Sequence, residues 1–192
     1  MTFSNKLTIG RIAAVPVFIF FISIKGTLPL LAALLVFIFA GLTDLYDGYL
    51  ARKLGQVTKL GQFLDPIADK MIVTAALISF LNLGVGIPAW CIIVIIAREF
   101  IINDLRDLAV LKGISMPVSM AGKVKTVVQM SGIITVFVIV AAKPFIESSL
   151  NVDLSFIVNF ISVLAVAVIM LITVGTGLDY IIRGLKLFGE KG

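Results

Sequence analysis

The chain has 192 residues, 60% hydrophobic and 14% charged, with a mean hydropathy of +1.15; this is more apolar side chain than a soluble domain of that size can bury, which excludes a water-soluble class in favour of an integral membrane protein. The charged minority is lopsided, 16 Lys and Arg against 11 Asp and Glu for a net charge of +5, a balance that suits anionic headgroups or phosphorylated substrates but equally the basic loops of any inner-membrane protein. There is no histidine and Cys91 is the single cysteine, so a histidine base, a histidine-ligated metal, an internal disulfide and a multi-cysteine zinc site are all excluded, no nucleic-acid partner is indicated, and chemistry must rest on carboxylates, lysines and arginines.

Hydrophobic stretches run over 7–24, 28–43, 71–83, 85–102, 124–142 and 154–182. Each approaches the ~20 residues a spanning helix needs, which predicts an all-α membrane protein of six transmembrane helices in a single domain, 1–192. The first stretch is followed by no small-x-small cleavage site and by five more spans, so it reads as a retained helix rather than a signal peptide. After the second, Arg52 to Gln62 contains Gly55, Gly61, one Thr and two Lys, too polar to cross a bilayer, and reads as a turn that sets its flanking helices antiparallel. Asp65 before Pro66 then reads as the N-cap and first residue of the third helix. Phe18, Phe20, Phe21, Phe37 and Phe39 could touch acyl chains, although packed or lipid-facing phenylalanine is the commoner case. Gly84-x-Gly86 and Gly175-x-Gly177 read as places where helices approach closely. If the N-terminus is cytoplasmic, thirteen of the sixteen basic residues fall on or near the inner side, Lys25 and Lys143 lie outside, and Arg98 sits within the fourth helix. That asymmetry predicts a multi-pass protein of a bacterial-type cytoplasmic membrane.

Four carboxylates stand in a fixed frame, Asp44-x-x-Asp47-Gly48-x-x-Ala51-Arg52, eight residues, Gly61-x-x-x-Asp65-x-x-x-Asp69. Eight specified positions recur by chance at about 10⁻¹⁰ per starting point, which sets coincidence aside. Asp44 and Asp47 are i and i+3 near the end of the second helix and Asp65 and Asp69 are i and i+4 at the start of the third, so each pair lines one face and the faces can converge. Acids this close, flanked by apolar helices, call for cations. Hard oxygen donors point to Mg²⁺ or Mn²⁺, and two ions about 3.5–4 Å apart would clamp a displacement at phosphorus. Gly48 and Gly61 would let a flat or phosphorylated group approach the backbone. The plainer alternative is that the acids pair with Arg52, Lys53 and Lys70 at a membrane rim, but simple pairing does not demand those spacings.

The frame resembles the hallmark of the CDP-alcohol phosphotransferases, with every fixed position present. The resemblance implies six transmembrane helices, a cytoplasm-facing active site, a bound divalent metal centre and a homodimer. It also implies that Asp44, Asp47 and Asp65 are metal ligands, that Asp69 joins them and acts as the base, and that Gly48, Ala51, Arg52 and Gly61 surround a cytidine diphosphate group. Asn5-x-x-Thr8-x-x-Arg11 is similar to the family's opening motif, with Ser4 in place of proline.

Ala97-Arg98-Glu99-Phe100 through Leu105-Arg106, Gly122-Lys123-Val124-Lys125-Thr126 and Asp65-Pro66-Ile67-Ala68-Asp69-Lys70 resemble the phosphatidylglycerophosphate synthases of that family, although Asn103-Asp104 replaces small residues in the fourth helix. This implies CDP-diacylglycerol as donor and glycerol 3-phosphate as acceptor, among membrane lipids. A dianionic acceptor needs cations, for which Arg98, Arg106, Lys123, Lys125, Arg11 and Lys59 are the candidates. Arg98 is the sharpest because an unpaired charge inside an apolar helix is expensive; its plainer role is pairing with Glu99 or another buried acid. Glu99, Asp104 and Asp107 are read as orienting these cations. Still open are another acceptor (phosphatidylglycerol, as in a cardiolipin synthase, serine or an inositol phosphate), a small cation or proton transporter, and an inactive scaffold protein.

Overall fold

A computed structural model describes the backbone at 3–54, 59–111 and 120–189; within these, the side chains at 3–6, 44–54, 59–63, 65–66, 110, 121 and 183–189 lie outside the described set. The described chain is six helices: α1 (Phe3–Ser23), α2 (Thr27–Leu54), α3 (Lys59–Ser79), α4 (Ala89–Leu111), α5 (Met120–Leu150) and α6 (Ser155–Gly189). Among the described residues, Gly122–Leu150 and Ser155–Ile182 are long and apolar enough to cross a membrane, and Leu7–Ser23 and Thr27–Thr43 are shorter apolar helices.

Helix packing follows a ring. α1 lies between α2 and α3, α2 packs on α5, α5 on α6 and α6 on α4, while α3 touches α4 only lightly. At the centre, Phe18, Phe37, Phe80 and Phe137 are all but fully buried. Phe137 reaches the other three, with ring centroids 5.9, 6.4 and 5.3 Å away, in the tilted and edge-on geometries that aromatic quadrupoles favour. Phe20 and Phe39 are exposed and Phe21 is partly buried, so the phenylalanines read together in sequence divide between core and outer surface.

Several expected boundaries move. α2 runs unbroken to Leu54 and α3 begins at Lys59, so only 55–58, outside the described residues, remain of the turn expected over Arg52 to Gln62. Asp65 and Pro66 therefore do not start a helix; they lie inside α3. Proline there forfeits the intrahelical bond to the carbonyl of Gln62 and crowds that carbonyl, yet the helix runs on through it. α3 ends at Ser79 rather than at 83, and α4 starts at Ala89 rather than 85. Gly84 and Gly86 adopt φ of 66° and 68°, a conformation other residues resist; they turn the chain between helices and, with nothing near their missing Cβ positions, are no close-packing seam. The close approaches are elsewhere: a Cβ on Gly132 would lie 2.6 Å from Ile169 Cδ1, and one on Gly41 2.8 Å from Met130 Cε.

α5 continues through Pro144 to Leu150, beyond the expected 142. Its end is held by polar groups. Asn151, at φ 53°, donates its N–H to the Glu147 carbonyl at 2.9 Å, a left-handed cap that asparagine tolerates. Glu147 Oε1 accepts the Leu154 N–H at 2.9 Å, Asp153 Oδ1 accepts the Ser155 N–H at 2.8 Å, and Lys143 donates to Ser155 Oγ at 2.7 Å. The first N–H of α6, that of Ser155, is thereby satisfied.

Candidate functional site

Antiparallel succession puts the start of α3, the end of α4, the start of α5 and the last third of α6 at one end of the bundle. A cavity of about 290 Å³ opens there. Each helix contributes polar groups to its wall: Asp69 and Lys70 from α3, Arg98, Glu99, Asn103 and Arg106 from α4, Lys125 and Thr126 from α5, Thr176 and Tyr180 from α6. In a chain this apolar, cations from three helices meeting carboxylates from two is a costly arrangement that function explains better than stability does.

Lys125 is buried and forms an ion pair with Glu99 of α4, and both Asp69 and Arg98 lie near enough to act on it electrostatically. Arg98 is held from the opposite side. Its Nη2 donates to Thr176 Oγ1 at 3.0 Å, while that hydroxyl donates its own proton to the Ile172 carbonyl at 2.8 Å. The threonine oxygen is thus turned to accept from the guanidinium. The stem of Arg98 lies across Gly177, where a Cβ would stand 2.8 Å from Nε and 3.1 Å from Cγ. Among the described residues, the Arg98 Nε and the Tyr180 hydroxyl are buried with no hydrogen-bond partner. Each such group costs about 1–3 kcal/mol.

Lys70 faces two ways. Its Nζ lies 5.0 Å from the centre of the Phe100 ring, within cation–π range, and it lines both the polar cavity and an apolar groove of about 820 Å³. Val15, Ile19, Met71, Ile78 and Phe100 wall that groove, which fills the gap left where α3 and α4 barely touch.

A model of the CDP-alcohol phosphatidyltransferase family matches residues 1–178. The chain belongs to that family. Over 126 residues it is 44% identical to the CDP-diacylglycerol--glycerol-3-phosphate 3-phosphatidyltransferase of Rickettsia bellii, covering 66% of this chain and 69% of that protein. It is 42% identical over 134 residues to the Bacillus subtilis protein of the same name, covering 64% and 69%. A probable phosphatidylglycerophosphate synthase of Mycobacterium tuberculosis strain H37Rv is 36% identical over 189 residues, 97% of this chain and 83% of its own length.

In this family member the hallmark positions 44–52 lie on the last turns of α2, and Gly61, Asp65 and Asp69 on the first half of α3. The side chains of Asp44, Asp47, Ala51, Arg52 and Asp65, with Gly48 and Gly61, Asn5 and Lys59, lie outside the described residues. Asp69 is described and exposed, at the cavity wall. Carboxylates are hard oxygen donors of the kind Mg²⁺ and Mn²⁺ take; of the four hallmark aspartates Asp69 is the one whose carboxylate is described, and among the described residues no group of three such side chains assembles by itself.

Of the expected phosphate-binding cations, the structure brings together Arg98, Arg106 and Lys125. Lys123 is exposed beside them and does not line the cavity. Arg11 is buried on α1, with Thr8 one turn earlier, and lines a different groove, against Thr43 of α2. Glu99 does pair with a cation, Lys125 rather than Arg98. Asp104 is exposed and outside the cavity, and Asp107 lines the apolar groove with Lys70. Sequence reasoning missed Thr176 and Tyr180; it read Gly177 as a close helix contact, which the structure shows with Arg98 of α4 as the group received. Their only signal was polarity and small size on an apolar helix, and their relevance depends on α6 lying against α4.

Proposed function

We propose that this protein transfers the phosphatidyl group of CDP-diacylglycerol to glycerol 3-phosphate, forming phosphatidylglycerophosphate and releasing CMP, in phosphatidylglycerol biosynthesis. The observation that carries the proposal is the single cavity in which Asp69 faces Arg98, Arg106 and Lys125. It combines a carboxylate that can take a proton from an attacking hydroxyl with cations suited to a phosphorylated acceptor. The names of the relatives support the same donor and acceptor.

In the reaction, an acceptor hydroxyl attacks the phosphorus bearing diacylglycerol, the P–O bond to CMP breaks, and the hydroxyl proton leaves. Asp69 takes that proton. Arg98, with Arg106 and Lys125, grips the acceptor's phosphate and sets the hydroxyl toward the donor. Asp44, Asp47, Asp65 and Asp69 would hold the divalent ions, which supply charge neutralisation on the diphosphate and on the departing CMP. Gly48, Ala51, Arg52 and Gly61 would lie against the cytidine diphosphate. The meeting of polar cavity and apolar groove at Lys70 supports a substrate with a charged head and hydrocarbon tails entering from the side. We further propose six membrane crossings, a cytoplasmic N-terminus and site, and a homodimer.

The test offers purified protein CDP-diacylglycerol with labelled glycerol 3-phosphate, phosphatidylglycerol, serine or inositol phosphate in turn and follows CMP release. Incorporation of glycerol 3-phosphate alone is expected. Incorporation of another acceptor in its place would reassign the substrate, and no CMP release with any of them, alongside cation flux across liposomes, would overturn the enzyme reading.

A further inference from the structure

Arg98 does not choose its own position. A free arginine side chain samples many rotamers, and each one frozen for binding costs entropy. Here α6 removes that freedom in two ways: Thr176 Oγ1 accepts from Nη2 at 3.0 Å, and the bare backbone of Gly177 leaves a slot for the Cγ–Nε stem that a Cβ would fill, at 2.8 Å from Nε. The fit is specific to position 177. Gly175, two residues earlier, has nothing within 4 Å of its missing Cβ, so the pair is not a run of small residues serving one purpose.

We infer that Gly177 and Thr176 are positioning residues that aim the Arg98 guanidinium at the acceptor's phosphate and so set the affinity for a phosphorylated acceptor. This rests on the acceptor role of Arg98 proposed above. A methyl at 177 cannot be met by moving the far tip of the chain alone, because Cγ as well as Nε is in the way; the whole stem must leave the α6 surface, taking Nη2 away from Thr176. Removing the hydroxyl at 176 leaves the stem in its slot but strips the guanidinium of the oxygen that orients it. Both changes act on the acceptor and neither touches the donor. Because a hydrogen bond to a charged group is among the stronger ones, loss of its alignment should be felt about tenfold or more in half-saturation.

The experiment measures KM and kcat for glycerol 3-phosphate, and KM for CDP-diacylglycerol, in the wild type and in R98A, G177A, T176V, T176S and G175A. G177A and T176V are expected to raise KM for glycerol 3-phosphate about tenfold with kcat changed by less than about threefold. KM for CDP-diacylglycerol should be unchanged, T176S should restore wild-type values, and G175A should behave as wild type. Should G177A not fold, T176V against T176S decides the matter. If R98A raises the acceptor KM while T176V and any folded G177A leave it alone, the inference is overturned and the Arg98 role stands. If R98A itself leaves it unchanged, the underlying reading of Arg98 has failed, and the inference with it. Equal rises in both substrates' KM in G177A and T176V would mark a general structural effect and would also overturn it.

Discussion

Replacing Glu99 by leucine should destabilise the protein far more than replacing Glu99 and Lys125 together. The Lys125 and Glu99 side chains are only 9% and 19% exposed, so each depends on the other for the solvation that water no longer gives. Removing one member of a buried pair costs about 3–5 kcal/mol, chiefly because a charge is left behind without compensation. Asp69 is close enough to supply part of that compensation, but Arg98 opposes it at least as strongly, so the lower end of that range is a floor. Taking about 3 kcal/mol, at roughly 2–4 °C per kcal/mol for a chain of this size, E99L should lower Tm by about 6–12 °C or more. The double variant E99L/K125M swaps both charges for apolar groups of similar bulk and should recover to within about 1 kcal/mol of wild type. Thermal unfolding in one detergent, followed by the fluorescence of the single tryptophan, Trp90, completes the cycle with K125M. If E99L melts with the wild type, or the double variant melts with E99L, the pair is not electrostatically closed and the reasoning is wrong.

Asp69→Asn should lower kcat by about 10²–10⁴ while CDP-diacylglycerol binding persists; wild-type turnover in that variant would remove Asp69 from proton transfer. Chelation by EDTA should abolish turnover, with Mg²⁺ or Mn²⁺ restoring it, and full activity in chelator would contradict the divalent site. At the α5–α6 turn, the Ser155 hydroxyl and then its backbone N–H hold the Asp153 carboxyl below its ordinary range. A depressed folded value contributes stability that is fully present above the unfolded value and is lost as pH falls through the folded one, so the acid limb of wild-type stability should steepen below about pH 4 and flatten in D153N. Superimposable acid limbs would show that Asp153 does not cap α6.

The helices themselves could be read from apolar length, because that is a local property. Boundaries were less legible where two local signals competed. Asp65-Pro66 carries the chemistry of a helix start, yet α3 begins at Lys59, since a proline on the second turn forfeits one bond whereas six further residues gain helical ones. In the sequence Gly84 and Gly86 read as helix contacts, because small residues serve both seams and turns; their φ angles separate the two uses. The cation list could be written from charge alone, but Arg11 and Arg98 occupy different cavities, a distinction that depends on which helices are neighbours. Thr176 could not be found at all from sequence, since it stands 78 positions from the arginine it receives.

The quartet of phenyl rings bears on more than packing. Phe80 follows Asp69 by eleven residues, roughly 16 Å along a helical path, so the charged cavity ends well short of the rings. Apolar side chains pack around them, among them Leu34, Leu77, Ile92 and Ile133. Packed aromatic rings offer an ion no replacement for its water shell, so a phosphate or a divalent cation drawn to the charged mouth has no favourable route further into the bundle.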